Sequence, residues 1–560
     1  MIISIKKIFF TMRKGFFYLP VIIILLSLIG LQSCKKKEQT LDPARQFMPS
    51  GDITVRNGET SVSITWKEAI NADTAKTSYT VIVSQDSLFT GEPEFTFITD
   101  TAGIVLYDTQ LTIKTLYYAR IKTNGADPSL DSKWLASKGF QILGEQIFLP
   151  VSDVDLKHNS VILRWQPTAD VTKITLTPEG GSPQNIDLVQ IDIDSALRFI
   201  DNLTPVTHYT AQIFAGTKEK GFVDFTTKEV PIYAFVLTPA DNLVTVLDTC
   251  SPNILIGLDP GIYESTNTLN NLVVKSKMVS LASTSNNPND TKVFFKEITL
   301  KGTGAGISLK GIDFDASVAT GLYFINLTGL ASDGEDATFI KVIVENCIVH
   351  NYNNCFMRAN RGTAAGSHKI DSITVNNCII KDNLLTNFYT EFQLTKLQFK
   401  SLSVTNSTFS NAGQNILEMS TALPAGTPIP VATFDKITVN NFGANAKRLF
   451  DANTNPVLLI ITNSILGNAP RSGTLSTDLI RATGSGTSVN FSYNNYFKLT
   501  NGTATVLSIP ASTAALTTQT GNQMIDLGWT ATTTSFIVPV GSPLQTASST
   551  GGLIGDPRWQ

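Results

Sequence analysis

The stretch "TVNNCIIKDN", Thr374 to Asn383, returns along the chain with variations. "IVENCIVHN" ends at Asn351, "SVTNSTFSN" at Asn411 and "IITNSILGN" at Asn468. Each places an apolar residue two positions before an Asn, and a small residue or thiol often follows that Asn. Aligned on the apolar residue, the copies fall at Val344, Val375, Val404, Val439 and Ile461, with Asn346, Asn377, Asn406, Asn441 and Asn463 two places on. The spacings are 31, 29, 35 and 22 residues. "ISLKGIDF" reads as an earlier copy without the Asn, and "NFSYNNYF" as a later one. A fixed local pattern at irregular spacing is what a solenoid produces when its strands stay in register and its loops vary.

Physics chooses among solenoids. Leucine-rich repeats would show Leu at fixed offsets, and helical repeats would show long stretches of 3.6-residue period; neither is present. A right-handed parallel β-helix fits, with short strands joined by bends and coils stacked at ~4.8 Å. An Asn at a tight bend tolerates left-handed backbone geometry, and stacked Asn side chains bond from coil to coil. Cys347 and Cys378 then take matching places in neighbouring coils. There they are either within disulfide reach or small buried hydrophobes; the second is the expectation, and bridging stays open.

Composition agrees with an all-β chain. Only 16% of the 560 residues are charged. Thr, Ser, Asn and Gly are abundant, which suits strands and turns more than helices. Besides Cys34 the cysteines are Cys250, Cys347, Cys355 and Cys378, too few for a disulfide scaffold and without zinc-finger spacing. No nucleotide-binding or metalloprotease motif occurs. The four histidines, His158, His208, His350 and His368, show no triad partner nearby and are expected at the surface.

The first 33 residues read as a targeting signal rather than fold. Lys6, Lys7, Arg13 and Lys14 precede the apolar run "FFYLPVIIILLSLIG", and "LQSC" closes it at Cys34. The run is short for a membrane span. The stretch resembles a bacterial lipoprotein signal, which implies lipidation of Cys34 and attachment to the cell envelope. Removing the signal leaves 39 of the 43 basic residues against all 46 acids, a net charge of −7. No basic field exists to hold nucleic acid. Residues 34–50 read as a solvated tether. "KKKE" follows the Cys where surface-exported lipoproteins carry acids, so the occupied membrane face stays open.

Two segments then echo each other, 51–145 and 146–228. The first holds "SVSITWKEA" and "LTIKTLYYARI"; the second holds "SVILRWQPT" and "LTPVTHYTAQI". In each, an alternating strand leads to a Trp, Trp66 or Trp165, and a Leu-Thr-x-x-Thr phrase leads to a Tyr, Tyr117 or Tyr209. This resembles fibronectin type III domains, in which the Trp fills the space between two sheets and the Tyr forms a corner. The resemblance implies four core residues and a pair of sandwiches acting as a stiff spacer.

From 229 to 560 the chain resembles the pectate-lyase-like β-helix superfamily. "DNLVTVLDTCSPNILIGLDPGIYE" looks like its opening, a buried first strand followed by a first-coil turn, and "VGSPLQTASSTGGLIGDPRW" looks like its closing segment. The whole arrangement resembles lipoproteins of Bacteroidetes polysaccharide-utilisation loci that join tandem fibronectin-like domains to a β-helix of no assigned function. The fold class expected is therefore all-β, two sandwiches followed by a right-handed parallel β-helix.

Chemistry is less legible. A polyuronate lyase needs calcium held by carboxylates and a basic side chain to take a proton. "GIDFDAS" offers Asp313 and Asp315 as weak metal candidates, two apart on one strand face. "SDGEDAT", with Asp333, Glu335 and Asp336, reads as a polar surface turn. A second strand phrase recurs as "FMRA", "FYTE", "ILEM", "LFDA" and "LIRA". Its third positions, Arg358, Thr390, Glu418, Asp451 and Arg481, form one column if the coils stack in order. Such a column faces a sugar chain or is a ladder of paired charges. Phe356, Phe388 and Tyr389 read as packing.

The leading expectation is a lipid-anchored, non-catalytic glycan-binding protein of the cell envelope, at the outer membrane, assisting polysaccharide capture, with pectic material and other uptake-system proteins as partners. Its candidate glycan column is Arg358, Glu418, Asp451 and Arg481. The alternatives are a polysaccharide lyase or glycosidase, for which Ca2+ is the cofactor to test, and an adhesin or structural envelope protein.

Overall fold

The computed structural model describes residues 45–70, 76–153, 155–264, 271–319, 321–444, 446–501, 507 and 516–559. The signal and Cys34 lie outside the described residues. Two compact units divide the chain, Met1–Lys228 and Glu229–Gln560.

The first unit holds two antiparallel sandwiches. In the first, strands Pro49–Asn57, Ser61–Ala69 and Gly103–Tyr107 form one sheet, and Tyr79–Ser84, Phe95–Thr99, Tyr118–Thr123 and Leu135–Ala136 the other. Period-2 alternation decides the inner face: Val62, Ile64 and Trp66 point into the core. Trp66 packs edge-on against Tyr79 with centroids 5.3 Å apart. The Tyr117 hydroxyl accepts from the Thr112 N–H at 3.3 Å. In the second sandwich Trp165 is buried, and the Tyr209 hydroxyl accepts from the Thr204 N–H at 2.9 Å. Both tyrosine corners reach five residues back, as the repeated Leu-Thr-x-x-Thr phrase requires.

Charge pins the two sandwiches together. Lys218 reaches Asp108 at 2.9 Å and Glu145 at 2.8 Å, while Lys220 reaches Glu145 at 2.9 Å and Asp170 at 3.2 Å. The Ile147 N–H donates to the Lys220 carbonyl at 3.0 Å. A side chain on Gly221 would meet the Ile147 backbone nitrogen at 2.9 Å, so glycine eases this approach.

The second unit is a right-handed parallel β-solenoid of about eight turns. Among the described residues its three sheets contain 11, 9 and 8 strands. One central coil runs from Ala337–Glu345 in the first sheet through Ile348–His350 in the second to Cys355–Arg358 in the third. The next coil starts at His368–Asn376 and pairs in register with the one before. Val344, Val375, Val404, Phe434, Ile461 and Phe491 stack as one fully buried column.

That column corrects one repeat of the sequence alignment. Val439 and Asn441 belong one strand later, with Val439 stacked between Phe409 and Leu466 in the second sheet. The residue at the first corner of that coil is Lys436, with φ 53°. The structural spacings from Val344 to Ile461 are therefore 31, 29, 30 and 27 residues, more regular than the aligned phrase. An Asn eases the left-handed backbone but is not indispensable where rung pairing already imposes it.

Each of the five coils from Asn346 to Asn468 turns two such corners. Asn346, Asn377, Asn406, Lys436 and Asn463 occupy the first at φ between 48° and 53°; Asn351, Asp382, Asn411, Asn441 and Asn468 occupy the second at φ between 50° and 63°. Asn377 Nδ2 donates to Asn346 Oδ1 at 2.9 Å, and Asn441 Nδ2 to Asn411 Oδ1 at 2.6 Å. Elsewhere the ladder shifts to a neighbour: Asn406 bonds Asn376 Oδ1 at 2.9 Å, and Asn463 bonds Asp435 at 2.7 Å.

Cys347 and Cys378 are buried free thiols. Burial pushes the Cys378 thiol up to about 12. The stretch read as a buried first strand begins instead with a helix, Leu243–Thr249, whose Asn242 side chain accepts from the Thr245 N–H at 3.2 Å. Leu243 and Leu247 close the end of the core. Strand Ile254–Leu258 follows.

The closing segment runs back over the second sheet. Trp529, Phe536, Val538, Leu544 and Ile554 build a smaller core on Ile465 and Phe497. The Thr408 hydroxyl donates to buried Asp556 at 2.6 Å and accepts from the Trp559 indole N–H at 2.7 Å. Arg558 donates to Asn377 Oδ1 at 2.6 Å.

Asn377→Leu tests the corner. It places a branched side chain at left-handed φ, at ~1–2 kcal/mol, and removes the hydrogen bonds of half-buried Asn346 and Arg558, at ~0.5–1.5 kcal/mol each. Calorimetry is expected to show the solenoid transition lowered and the sandwich transition unchanged.

Candidate functional site

The third sheet presents one polar column on its outer side. Asn326 pairs in register with Arg358, Arg358 with Gln393, Gln393 with Glu418, Glu418 with Asp451, and Asp451 with Arg481. The four residues singled out by sequence thus lie in one column and in the expected order. Thr390 does not: it pairs with Asn415 three residues earlier in the strand, and Gln393 takes its place. Every coil but that of Gln393 carries two apolar residues and then the column residue, as in Phe324-Ile325-Asn326 and Phe356-Met357-Arg358; in the Gln393 coil Glu391 takes the first of the two apolar places. Phasing "EFQL" rather than "FYTE" on that pattern would have found Gln393, and "FIN" would have found Asn326.

The column is nearly covered. Arg358, Glu418 and Asp451 are buried, while Arg481 is half-buried. Arg358 lies over the Tyr323 ring, 4.6 Å from its centroid, and its Nε donates to Asn360 Oδ1 at 3.0 Å. No carboxylate of the described residues pairs with it. Arg481 grips Asp451 with two bonds of 2.8 and 2.7 Å. The matched fork geometry makes this the strongest pair of the column. That bond, with Asp451 beside it, raises the Arg481 pKa. Arg448 stands 4.0 Å from Asp451 and 2.7 Å from Asp478.

Glu418 is held from one side only. Its Oε1 accepts from the Tyr389 hydroxyl at 3.2 Å and the Ser420 hydroxyl at 2.9 Å. Its Oε2 is buried without a hydrogen-bond donor, and Lys447 Nζ lies 4.0 Å away. Lys447 also sits over the Tyr389 ring at 4.7 Å. Burial, with the Glu418 charge beside it, raises the Tyr389 phenol well above its ordinary value. Tyr389 was read as packing; the structure makes it a donor to the column.

Asp313 and Asp315 come together on the second sheet, but with cations rather than with further acids. Lys292 Nζ lies 3.1 Å from Asp313 and 3.5 Å from Asp315. His350 Nε2 donates to Asp313 at 2.9 Å, and Asn351 donates both to His350 Nδ1 at 2.8 Å and to Asp315 at 2.9 Å. Burial pushes the Asp315 carboxyl up, yet the bonds from Asn351 and Ser317 and the nearby His350 outweigh it, leaving it at about 2. Among the described residues no His, Cys, Asp and Glu gather as a metal cage. The residues therefore form an ion-pair network, not the oxygen-rich shell calcium needs.

Two histidines depart from the surface placement expected of them. His350 belongs to that network, and His368 is fully buried with Nε2 on the Glu335 carbonyl at 2.8 Å. Burial lowers the His368 pKa. The "SDGEDAT" turn is exposed, as read from its composition.

One buried acid escaped the sequence reading. Glu391 stands one place before Phe392, where neighbouring coils carry Phe356, Ile416, Leu449 and Leu479. It is fully buried and accepts from the Tyr352 hydroxyl at 2.7 Å and the Gly413 N–H at 2.6 Å. A side chain on Gly413 would meet the Tyr389 carbonyl at 2.1 Å, so glycine is required for this approach. Burial pushes the Glu391 carboxyl up to about 7 against the opposing pull of those bonds and of Arg471. An acid in an otherwise apolar column is the signal that would have found it.

No family model and no curated protein matches the chain. Among solved structures it is similar to a two-domain fibronectin type III segment of chicken tenascin, 19% identical, covering 32% of this chain and 99% of that one at a TM-score of 0.18. It is also similar to the chicken interferon gamma receptor alpha chain, 12% identical, covering 32% of this chain and 98% of that one at a TM-score of 0.16.

Glu391 is expected to make the solenoid pH-sensitive. Its folded pKa of about 7 lies above the ordinary carboxylate value of about 4.3, so the folded chain binds the proton more tightly than the unfolded one. The stabilisation is complete below the unfolded value and is lost as pH rises through the folded one. Glu391→Gln is expected to raise the solenoid melting temperature at pH 8 and leave it nearly unchanged at pH 4, read by circular dichroism melts across the range.

Proposed function

We propose that this chain is a lipid-anchored glycan-binding protein of the cell envelope, serving polysaccharide capture through the outer column of the third sheet. The observation that carries the reading is Arg358. It is oriented by Asn360 and Tyr323, holds no carboxylate of the described residues, and lies in register with further donors and acceptors. Six column positions at ~4.8 Å per rung make a periodic array suited to a linear chain of sugar rings. A guanidinium without a counterion suits a uronate carboxylate, which it grips with two bonds. The "LQSC" signal at Cys34 and the resemblance to Bacteroidetes polysaccharide-utilisation lipoproteins support the cellular setting. The charge-pinned sandwiches suit a stiff spacer between lipid and solenoid.

A second reading, a polysaccharide lyase or glycosidase, draws on Glu418. A buried carboxylate oxygen without a donor, beside a phenol and an ammonium, is the kind of group that moves a proton when a substrate displaces Lys447. Against it, Asp451, on the adjacent rung, is committed to Arg481.

Isothermal titration against oligogalacturonides, with product formation followed in parallel, separates the two. For binding alone, Arg358→Ala is expected to weaken acidic-glycan affinity by ~1–3 kcal/mol, with a smaller or opposite effect of Glu418→Ala. For catalysis, Glu418→Ala keeps binding and loses turnover. Unchanged binding and turnover in both variants would move the function to another face. The anchor is tested separately: Cys34→Ala is expected to abolish palmitate labelling and leave an uncleaved precursor.

A further inference from the structure

The closing segment does more than cover the second sheet. Between its residues 531–536 and the sheet's outer side lies a cleft of about 170 Å3. Ile379, Phe536 and Trp559 form its apolar walls, and Ser410, Thr532 and Thr533 bring hydroxyls to it. Lys381 also lines it, at the outward place that His350 holds one coil before and Ser410 one coil after.

We infer that this cleft is a subsite for a single acidic sugar ring, with the sugar carboxylate on Lys381. Three observations converge. First, Lys381 has no ion-pair or hydrogen-bond partner among the described residues. The adjacent Asp382 also lines the cleft, but it is held on the wall by Asn411 Nδ2, which donates to it at 2.8 Å, and it does not pair with Lys381. Second, the walls are amphipathic in the way a pyranose is, with aromatic and aliphatic surface for its C–H face and hydroxyls for its rim. Phe536 and Trp559 meet edge to face at 5.4 Å, which fixes the apolar corner. Third, the roof is pinned before any ligand arrives. Trp559 Nε1 donates to Thr408, Asn440 Nδ2 donates to the Thr530 carbonyl at 2.8 Å, and Asn468 Nδ2 donates to the Trp529 carbonyl at 2.9 Å. A preformed pocket costs little ordering on binding.

Size sets the ligand. The volume falls below the roughly 300–1,000 Å3 of pockets for drug-sized molecules, so the cleft encloses about one ring. The site lies on the second sheet and shares no residue with the Arg358 column on the third. It stands or falls independently of that column.

The test uses the whole protein, titrated with glucuronate and galacturonate by calorimetry and saturation-transfer NMR, with glucose as the neutral control. Both uronates, or one of them, are expected to bind, and glucose to bind more weakly. Lys381→Ala and Lys381→Gln are expected to lose about tenfold or more in uronate affinity, the scale of one charge-assisted contact, with melting unchanged. Lys381→Arg is expected to retain most of it. The inference is overturned by a parent that binds neither uronate, by glucose binding as well as uronate, or by Lys381→Ala binding like the parent.

Discussion

Parallel pairing of each rung with the next, through two corners that force the backbone to positive φ, is the constraint on which the solenoid rests. The backbone bonds at the first corner run unbroken from coil to coil: Asn346 to Asn376, Asn377 to Thr405, Asn406 to Asp435, Lys436 to Thr462 and Asn463 to Ser492. Once those are made, side chains at equal places must stack, because strand pairing leaves no freedom of register when one face is buried. The core column from Val344 to Phe491 and the outer column from Asn326 to Arg481 are two consequences of the same pairing. The loops between sheets are free of it and vary in length. The repeat is therefore plain in short phrases and irregular in spacing.

Register also decides electrostatics. Residues about thirty apart in sequence become neighbours at one rung's distance, so charge patterns accumulate along the axis. On the third sheet this places Asp451 in the grip of Arg481, leaves Arg358 without a carboxylate among the described residues, and leaves one oxygen of Glu418 without a hydrogen-bond donor, with Lys447 4.0 Å away. On the second sheet it joins Lys292, Asp313, Asp315 and His350 into a compensated network. Compensated groups stabilise and orient one another; uncompensated ones are where a ligand gains most, since partners need not be taken from the protein. The same logic marks Glu391, an acid in an apolar stack, as one place where the solenoid's stability is expected to depend on pH.

The sandwiches obey a different rule. Each core is built on a Trp between sheets and a Tyr bonded to its own chain five residues back, both local enough to recur as phrases. Their mutual arrangement rests on lysines, Lys218 and Lys220, that bridge acids from both domains and from the junction at Glu145. Nothing in either phrase announces that contact.

The sequence by itself determined what local pattern can determine: the all-β class, the Trp and Tyr cores of the sandwiches, the corner residues of most coils, and the order of Arg358, Glu418, Asp451 and Arg481 along one column. These follow from periods of two and from backbone preferences that each residue carries wherever it stands. Only the tertiary structure decided the rest. It moved Asn441 to the second corner and gave the first to Lys436, because rung pairing overrides single-residue preference. It replaced Thr390 by Gln393, since register is set by neighbouring coils and not by the phrase itself. It paired Asp313 and Asp315 with cations, buried His368 and Glu391, and folded the closing segment over Lys381. Each of these depends on which side chains from distant coils arrive at the same place, and partners at long sequence separation leave no periodic trace in the chain.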